Sequence, residues 1–400
     1  MIEATGGGIT AAEGFQAAAV SCGIKAEGPD LALLVADRAT SAAAVFTTNL
    51  TVAAPVVVSK RHLEQSGGKA RAIAVNSGCA NACTGDAGMT AAETMAASAA
   101  AAVGCPLEHV LVASTGVIGL LLDATRVARG IEAAAPALAR DAHAAAARAI
   151  MTTDRGPKEA AVRVAGRAGA FVIGGMVKGA GMIEPNMATM LGFLTTDAAV
   201  EPPLLRRALS AAVGDTFNAI TVDGECSTND SVFLLASGAS GARIDEAAYP
   251  HFVEGLRSVC GTLARAIVRG GEGATKLVAV RVSGGRTAED ARRAAKAIAN
   301  SLLVKTALNG GDPNWGRLVA VAGRAGVAFE PSRGRVRIGP ATLFADDTVF
   351  AEREPAAAAH LAGDEVELEV DLGTGGGHGA TVWTCDLSAQ YVRINADYRT

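Results

Sequence analysis

Short strand-like segments alternate with alanine-rich helical segments along nearly the whole chain of 400 residues. The run AIAVN at residues 72–76 predicts a buried strand, a helical segment follows it, and VLVAS at residues 110–114 predicts another strand. A cluster of short strand-like runs in the C-terminal third favours mixed sheets over one parallel sheet. We therefore predict an α/β fold with mixed sheets, and the length suits two domains or one large interlocked domain.

Local end signals place several helices. The segment TAAETMAASAAAAVG begins with the capping-box pair Thr90 and Glu93 and ends at Gly104, while Thr287 with Asp290 begins a helix that we predict over residues 288–303. The alanine- and arginine-rich region over residues 123–150 predicts one long helical segment. Near the C-terminus, the run QYVRINA at residues 390–396 predicts a short strand.

Charge and hydropathy exclude two classes of protein. The chain has 36 basic and 40 acidic side chains, a net charge of −4, without the basic excess of a nucleic-acid-binding protein. No apolar run approaches the roughly 20 residues that cross a bilayer. The N-terminal segment MIEATGGGIT has neither the basic start nor the apolar core of a secretory signal. We therefore expect a soluble cytoplasmic protein that binds neither nucleic acid nor membrane.

The seven cysteines indicate neither a disulfide framework nor a metal site, because their number is odd and they are scattered. Cys79 and Cys83 form the only close pair, and no second cysteine or histidine pair complements them as a zinc site would require. We predict buried, inert thiols and no bound metal.

The segment KGAGMIEPNMATMLGFL brings a single threonine, Thr189, to the start of an apolar strand-like run, directly after Ala188. A threonine hydroxyl is a poor nucleophile without a nearby base. A threonine that begins a chain has such a base in its own α-amine, whose reference pKa is about 7.7–8.0. Cleavage of the Ala188–Thr189 bond would therefore create a nucleophile and its base together. Taken alone, the segment favours a plainer interpretation, a β-branched residue that begins a strand.

Four polar loops separate the apolar segments. They are NSGCANACTGDAG (76–88), STGVIG (114–119), NAITVDGECSTND (218–230) and NGGDPNWGR (309–317). Glycine, asparagine and aspartate are also the ordinary residues of tight turns, which is the simpler explanation for any single loop. Four such loops, together with the turn before Thr189, favour a functional site where strand ends meet.

The segments KGAGMIEPNMATML, STGVIG, TVDGECSTND, RGGEGATKL, VKTALNGGDPNWGR and YVRINADYRT resemble the arginine-biosynthetic ornithine acetyltransferases, also called bifunctional glutamate N-acetyltransferase/amino-acid acetyltransferase. The similarity runs from GGGITAAEGFQ near the N-terminus to Thr400. It implies two interlocked α/β domains with helices on the outer faces, similar to self-processing N-terminal-nucleophile enzymes. It also implies cleavage between Ala188 and Thr189 into an α chain (1–188) and a β chain (189–400), which usually assemble as an α2β2 heterotetramer.

The family resemblance implies ping-pong acetyl transfer from N2-acetylornithine to glutamate without a bound cofactor. Some members also use acetyl-CoA as a co-substrate, and the sequence leaves this open. The nucleophile would be Thr189, and Thr115 with Gly116 would form the oxyanion hole. The substrate-binding positions would be Thr152, Lys178, Thr189, Glu272, Asn395 and Thr400. Lys178 suits an α-carboxylate, and Glu272 suits the ornithine ammonium.

Two other functions remain open from the sequence. A self-processing amidase or aminopeptidase would use the same nucleophile with water as the acceptor. A protein that keeps the fold without cleavage would act as a binding or structural module.

Overall fold

A computed structural model describes residues 1–184 and 190–397. The chain divides into two compact units, and each has its own β-sheet. Among the described residues, the first unit comprises Met1–Asn218 and Glu225–Ile267, and the second comprises Ala219–Gly224 and residues 268–397. Both units combine mixed sheets with helices, which confirms the predicted α/β class. Within the described ranges, no helix is long and apolar enough to cross a membrane.

The described part of the first unit contains a nine-stranded sheet and six α-helices. The strands are β1 (Ile2–Thr5), β2 (Phe15–Val20), β3 (Leu31–Phe46), β4 (Lys69–Cys79), β5 (Val110–Val117), β6 (Lys158–Gly166), β7 (Gly169–Lys178), β8 (Leu191–Thr196) and β9 (Ser231–Ala236). The helices are α1 (Ala54–Gln65), α2 (Gly85–Val103), α3 (Ala124–Ala134), α4 (His143–Ala149), α5 (Pro202–Asp215) and α6 (Tyr249–Arg269). The strand order is β1-β6-β7-β8-β9-β3-β4-β5, with β2 paired to β3.

This sheet is mixed and buried on both faces. Strands β4 and β5 run parallel, as do β8 and β9, whereas the other pairs are antiparallel. Successive residues of β4 alternate between two cores: Ile73 belongs to one core, and Ala72 and Ala74 belong to the other. Helices α1, α2 and α3 cover the second face, and their many alanines let them approach the sheet closely.

The second unit has a six-stranded sheet and five α-helices in its described part. The strands are β10 (Leu277–Gly285), β11 (Arg335–Ile338), β12 (Ala341–Ala345), β13 (Thr348–Val349), β14 (Glu365–Asp371) and β15 (His378–Cys385). The helices are α7 (Ala288–Ala299), α8 (Leu302–Gly310), α9 (Trp315–Gly323), α10 (Glu354–Leu361) and α11 (Ala389–Asp397). The strand order is β13-β12-β11-β14-β10-β15. Helices α7 to α10 pack on one face around a single core.

Two helix-end signals were read correctly and one was wrong. Thr287 begins α7 as predicted, since its Oγ1 accepts a hydrogen bond from the Asp290 N–H at 3.0 Å. Gly104 ends α2 in the left-handed conformation at φ 68°. Thr90, however, lies inside α2, which begins at Gly85, and its hydroxyl donates to the Asp86 carbonyl at 3.0 Å.

Two predicted helices are interrupted. The region 123–150 divides into α3 and the short α4, with Pro136 in a 3₁₀ turn between them, because proline cannot continue an α-helix. The predicted helix over 288–303 ends at Ala299. Ser301 then begins the separate helix α8 by accepting a hydrogen bond from the Val304 N–H at 3.4 Å.

The predicted strand at residues 390–396 is wrong, because this segment forms helix α11. A helix places Tyr391 and Asn395, four residues apart, on one face. There the Tyr391 hydroxyl donates to Asp223 at 3.2 Å and the Asn395 amide donates to Glu272 at 2.8 Å. These tertiary contacts explain why the helix forms in spite of the β-forming residues.

The cysteines are all free thiols, and the prediction that they are buried holds for Cys79, Cys260 and Cys385. Burial raises the pKa of Cys260 to about 12, which keeps it protonated and unreactive. Cys83 is exposed, contrary to the prediction. It lies in the loop between β4 and α2 with a positive φ of 58°, and this turn directs the residue away from the core.

Candidate active site

Thr115 and Gly116 lie together near the end of β5, beside the end of β4. Gly116 has a φ of 131°, and a Cβ atom there would lie 2.3 Å from the carbonyl carbon of Gly78 and 2.5 Å from the Cys79 nitrogen. Only glycine fits this approach of two backbones. Thr115 is buried, with 7% of its surface exposed. The pair predicted to form the oxyanion hole therefore sits near the end of β5, in a stretch of backbone whose path is sterically fixed.

Hydrogen bonds from buried side chains hold this end of β5 in place. The Asn229 amide donates to the carbonyls of Ala80 at 2.6 Å and Ser114 at 2.9 Å. The Ser114 hydroxyl donates to Asn76 Oδ1 at 2.6 Å, and the Asn76 amide donates to the Cys79 carbonyl at 2.9 Å. These residues come from three of the polar loops identified in the sequence. The three loops therefore meet at one place in the first unit.

Lys178, the last residue of β7, reaches the same place. Its Nζ donates a hydrogen bond to Thr115 Oγ1 at 2.9 Å. A hydroxyl that accepts from an ammonium keeps its own hydrogen to donate elsewhere. The Thr115 hydroxyl is thus suited to donate to a negatively charged oxygen, and the nearby ammonium strengthens it as a donor.

Thr152 lies in the loop between α4 and β6, which is tied to the end of β7 through Asp154. The carboxylate of Asp154 accepts from the Thr152 N–H at 3.1 Å, from the Gly179 N–H at 2.8 Å, and from Lys158 Nζ. Lys25 Nζ also donates to the Met151 carbonyl at 3.2 Å. The structure therefore brings Thr152, Lys178, Thr115 and Gly116 close together in the first unit.

The Asp154 carboxyl is ionised although its side chain has no exposed surface. Burial alone would raise its pKa, but Lys158 and Lys178, with the hydrogen bonds from Lys158 and Gly179, lower the pKa below the usual value. Sequence reasoning missed this residue. The only sequence signal was its place in the MTTD segment, two residues after Thr152.

In the second unit, Glu272 and Asn395 contact each other. Glu272 is buried, with 6% of its surface exposed, and its Oε2 accepts from the Asn395 amide at 2.8 Å. The Ser388 hydroxyl donates to the Gly273 carbonyl at 2.7 Å, which joins the Glu272 loop to the segment before α11. A Cβ on Gly273 would lie 2.4 Å from the Tyr391 nitrogen, so glycine is required there as well.

Asp386 fixes the loop that carries Glu272. Its carboxylate accepts from the Thr275 N–H at 2.7 Å, the Thr275 hydroxyl at 2.7 Å, the Lys276 N–H at 2.9 Å and the Asn309 amide at 2.6 Å. Burial alone would raise its pKa, but the hydrogen bonds from Asn309, Thr275 and Lys276 lower it. Asp386 was also missed from the sequence, where it appears only within the strand-like run TVWTCDL.

Ala188, Thr189 and Thr400 lie outside the described residues. Strands β7 and β8 flank Ala188 and Thr189 in the sequence. They are antiparallel neighbours, and Lys178 of β7 pairs with Leu191 of β8. The segment that contains Ala188 and Thr189 therefore connects two strands whose facing ends include Lys178.

A protein-family model described as the ArgJ family matches residues 16–400. The chain belongs to the ArgJ family. It is 49% identical over 400 residues to the arginine biosynthesis bifunctional protein ArgJ of Symbiobacterium thermophilum, covering 98% of this chain and 99% of that protein. It is 47% identical to the protein of the same name from Gloeobacter violaceus, covering 98% of each.

A solved structure agrees with this membership. The crystal structure of arginine biosynthesis bifunctional protein ArgJ from Bacillus halodurans matches with a TM-score of 0.51 and 41% sequence identity. The match covers 52% of this chain and 100% of that one. These comparisons confirm the family resemblance inferred from the sequence segments.

Proposed function

We propose that this ArgJ-family protein transfers the acetyl group of N2-acetylornithine to glutamate, giving ornithine and N-acetylglutamate, in arginine biosynthesis. Family membership over nearly the whole chain supports the reaction, and the named relatives are arginine biosynthesis proteins. The observation that carries the proposal is the contact between Lys178 and Thr115 beside the backbone-constrained Gly116. This arrangement suits stabilisation of an oxyanion next to a carboxylate-bearing substrate.

The nucleophile in this proposal is Thr189, released by self-cleavage of the Ala188–Thr189 bond. The products are an α chain of residues 1–188 and a β chain of residues 189–400. Thr189 is two residues before Leu191 in the sequence, and Leu191 is the strand residue that pairs with Lys178. The solved ArgJ chain from Bacillus halodurans supports the division, because it matches over its whole length yet spans 52% of this chain.

Acetyl transfer then proceeds in two steps. The Thr189 hydroxyl attacks the acetyl carbonyl of acetylornithine while its α-amine takes the hydroxyl proton. The Thr115 hydroxyl and the Gly116 N–H stabilise the tetrahedral oxyanion. Its collapse breaks the amide bond, the α-ammonium protonates the departing ornithine amine, and an acetyl-threonine ester remains. The neutral amine of glutamate attacks this ester, and the Thr189 α-amine takes a proton from the attacking nitrogen. Collapse breaks the ester bond, the α-ammonium returns that proton to the departing Thr189 oxygen, and N-acetylglutamate is released.

The substrate residues divide by charge. Lys178 and the Thr152 loop suit the α-carboxylate that acetylornithine and glutamate share. Glu272 suits the side-chain ammonium of ornithine, and Asn395, by donating to Oε2, orients its carboxylate. Thr189 and Thr400 complete the proposed substrate-binding set.

Three further features belong to the same proposal. The word bifunctional in the names of the relatives supports acetyl-CoA as a second acetyl donor, used as a co-substrate and not as a bound cofactor. The α and β chains stay associated, as an α2β2 heterotetramer. The protein works in the cytoplasm.

Purified protein incubated with N2-acetylornithine and isotope-labelled glutamate tests the function directly. We expect labelled N-acetylglutamate without acetyl-CoA, and two gel bands of which one begins with TMLGF. Release of free acetate at a rate independent of glutamate would instead indicate an amidase. A single full-length band in a preparation that shows this transfer would refute the self-cleavage mechanism.

A further inference from the structure

Asp154 is a buried carboxylate near the proposed oxyanion hole that accepts three hydrogen bonds. Its side chain has no exposed surface. Oδ2 accepts from the Thr152 N–H, and Oδ1 accepts from the Gly179 N–H and from Lys158 Nζ. The Asp154 carboxylate thus links two proposed substrate residues. It joins the loop that carries Thr152 to the backbone directly after Lys178.

The charges around Asp154 also favour this arrangement. Lys158 forms an ion pair with Asp154, and the ammonium groups of Lys178 and Lys25 lie near enough to interact electrostatically with the Asp154 carboxylate. Lys25 also interacts with the buried Asp30 carboxylate, so two carboxylates and three ammonium groups leave a net positive environment around Asp154. Such an environment suits a ligand carboxylate, provided that the ammonium groups are held in place.

We propose that Asp154 is a positioning residue that fixes the Thr152 loop and the Lys178 end of β7 relative to each other, so that both can bind the substrate α-carboxylate. This role rests on the proposed function, since it assumes that the substrate carboxylate binds here. Asp154 acts through Lys178 and the Thr152 backbone and does not contact the reacting atoms. The simpler alternative is that Asp154 only neutralises the buried Lys158.

Asp154→Asn separates the two interpretations, because it keeps the shape but removes the charge and replaces one acceptor by an NH2 group. The measurement is kcat/KM for N2-acetylornithine and for N2-acetylornithinamide, whose carboxamide replaces the α-carboxylate, normalised to the cleaved fraction on a gel. Wild-type protein should prefer the carboxylate by roughly ten- to a hundredfold, the usual range for charged hydrogen bonds. In Asp154→Asn this preference should fall below about threefold.

Two control variants make the test specific. Asp197 is a matched buried carboxylate that accepts from the Glu13 and Val172 N–H groups at 3.2 and 2.8 Å, near the opposite end of β7. Asp197→Asn should lower thermal stability but keep the wild-type preference for the carboxylate. Lys158→Met should also keep most of that preference, since Asp154 would still accept both backbone N–H groups.

The outcomes decide between the interpretations. Unchanged carboxylate preference in Asp154→Asn overturns the positioning role, as does an equal loss in Lys158→Met. If Asp154→Asn does not fold or is not cleaved, Asp154→Glu replaces it. Its longer side chain keeps the charge but moves the carboxylate oxygens away from the N–H groups of Thr152 and Gly179. Wild-type preference in that variant also overturns the role. An inactive wild-type enzyme would refute the proposed function, whereas an active enzyme with an unaffected Asp154 variant refutes only this inference.

Discussion

Replacement of Thr115 by valine removes the hydroxyl that we assign to the oxyanion hole and leaves a side chain of nearly the same shape. Two losses set the expected effects, that of the oxyanion donor on kcat and that of the Lys178 hydrogen bond on folding stability. Loss of one oxyanion donor usually lowers kcat by 10²–10³-fold, about 2.7–4 kcal/mol of transition-state stabilisation. The substitution also removes the 2.9 Å hydrogen bond from Lys178, which should cost about 1.5–3 kcal/mol of folding stability, since one partner is charged.

The assay is steady-state acetyl transfer at saturating acetylornithine, expressed per cleaved chain. We expect kcat to fall 10²–10³-fold in Thr115→Val while KM changes little, because the oxyanion exists only in the transition state. Thr115→Ser is the matched control, since it keeps the hydroxyl, and its kcat should stay within about tenfold of the wild type. A kcat in Thr115→Val close to that of Thr115→Ser would refute the assignment of Thr115 as a donor.

A double-mutant cycle tests how Lys178 contributes. If its ammonium strengthens the Thr115 hydroxyl as a donor, Lys178→Met should lower kcat in the wild type but much less in the Thr115→Val background. An interaction free energy of about 1 kcal/mol or more is expected in kcat. The effect of Lys178→Met on KM should persist in both backgrounds, because binding of the carboxylate does not require Thr115. Additive effects on kcat would show that Lys178 does not act through Thr115.

Three other perturbations test separate parts of the mechanism. Thr189→Ala should remain a single full-length chain on a gel without acetyl transfer, and normal turnover would exclude Thr189 as the nucleophile. Glu272→Gln should raise KM for acetylornithine by roughly tenfold while KM for glutamate stays nearly constant, since only ornithine has a side-chain ammonium; an equal rise for both would contradict the assignment. The lowered pKa of Asp386 stabilises the fold above the unfolded value near 3.8, and this contribution is lost as the pH falls through the lower native pKa. The free energy of unfolding in urea, measured at and below about pH 3.8, should therefore change less with pH in Asp386→Asn than in the wild type. Equal slopes of this free energy against pH would refute the linkage.

The sequence predicted those features of the fold that local chemistry determines. Apolar runs located β4 and β5, and the Thr287 cap located the start of α7 because its hydrogen bond joins residues three apart. The prediction that Thr90 begins a helix is wrong because the loop before α2 determines where that helix begins. There the Asn81 amide donates to the Gly88 carbonyl at 2.9 Å, and the Thr84 hydroxyl donates to Asn81 Oδ1 at 2.8 Å. A capping pattern inside a helix is indistinguishable from one at its start when such a loop is not recognised.

The site was predictable to a smaller extent. Family resemblance supplied Thr115, Gly116 and Lys178, but nothing in the sequence indicates a contact between residues 63 positions apart. Asp386 escaped notice for the same reason, because its donors come from distant segments, and so did the bond that ties Asp154 to Gly179, 25 residues away. Gly116 is a partial exception, because turn chemistry favours glycine in the polar loop predicted at STGVIG. The structure instead places Gly116 in β5 and requires glycine there because a Cβ atom would lie 2.3 Å from the carbonyl carbon of Gly78.

The two buried aspartates indicate how the protein holds its functional charges in place. Asp154 and Asp386 each accept backbone N–H groups from a loop that carries or adjoins a proposed substrate residue. Withdrawal of a donor from a buried carboxylate costs much more free energy than the breaking of an exposed ion pair. A loop that supplies such a donor therefore keeps one conformation. Exposed ion pairs could hold the same loops only weakly and in a salt-dependent way. Because Asp154 and Asp386 fix the backbone, the loops do not depend on Lys178 and Glu272 alone, which leaves these two charges suited to the ligand-binding roles that we propose for them.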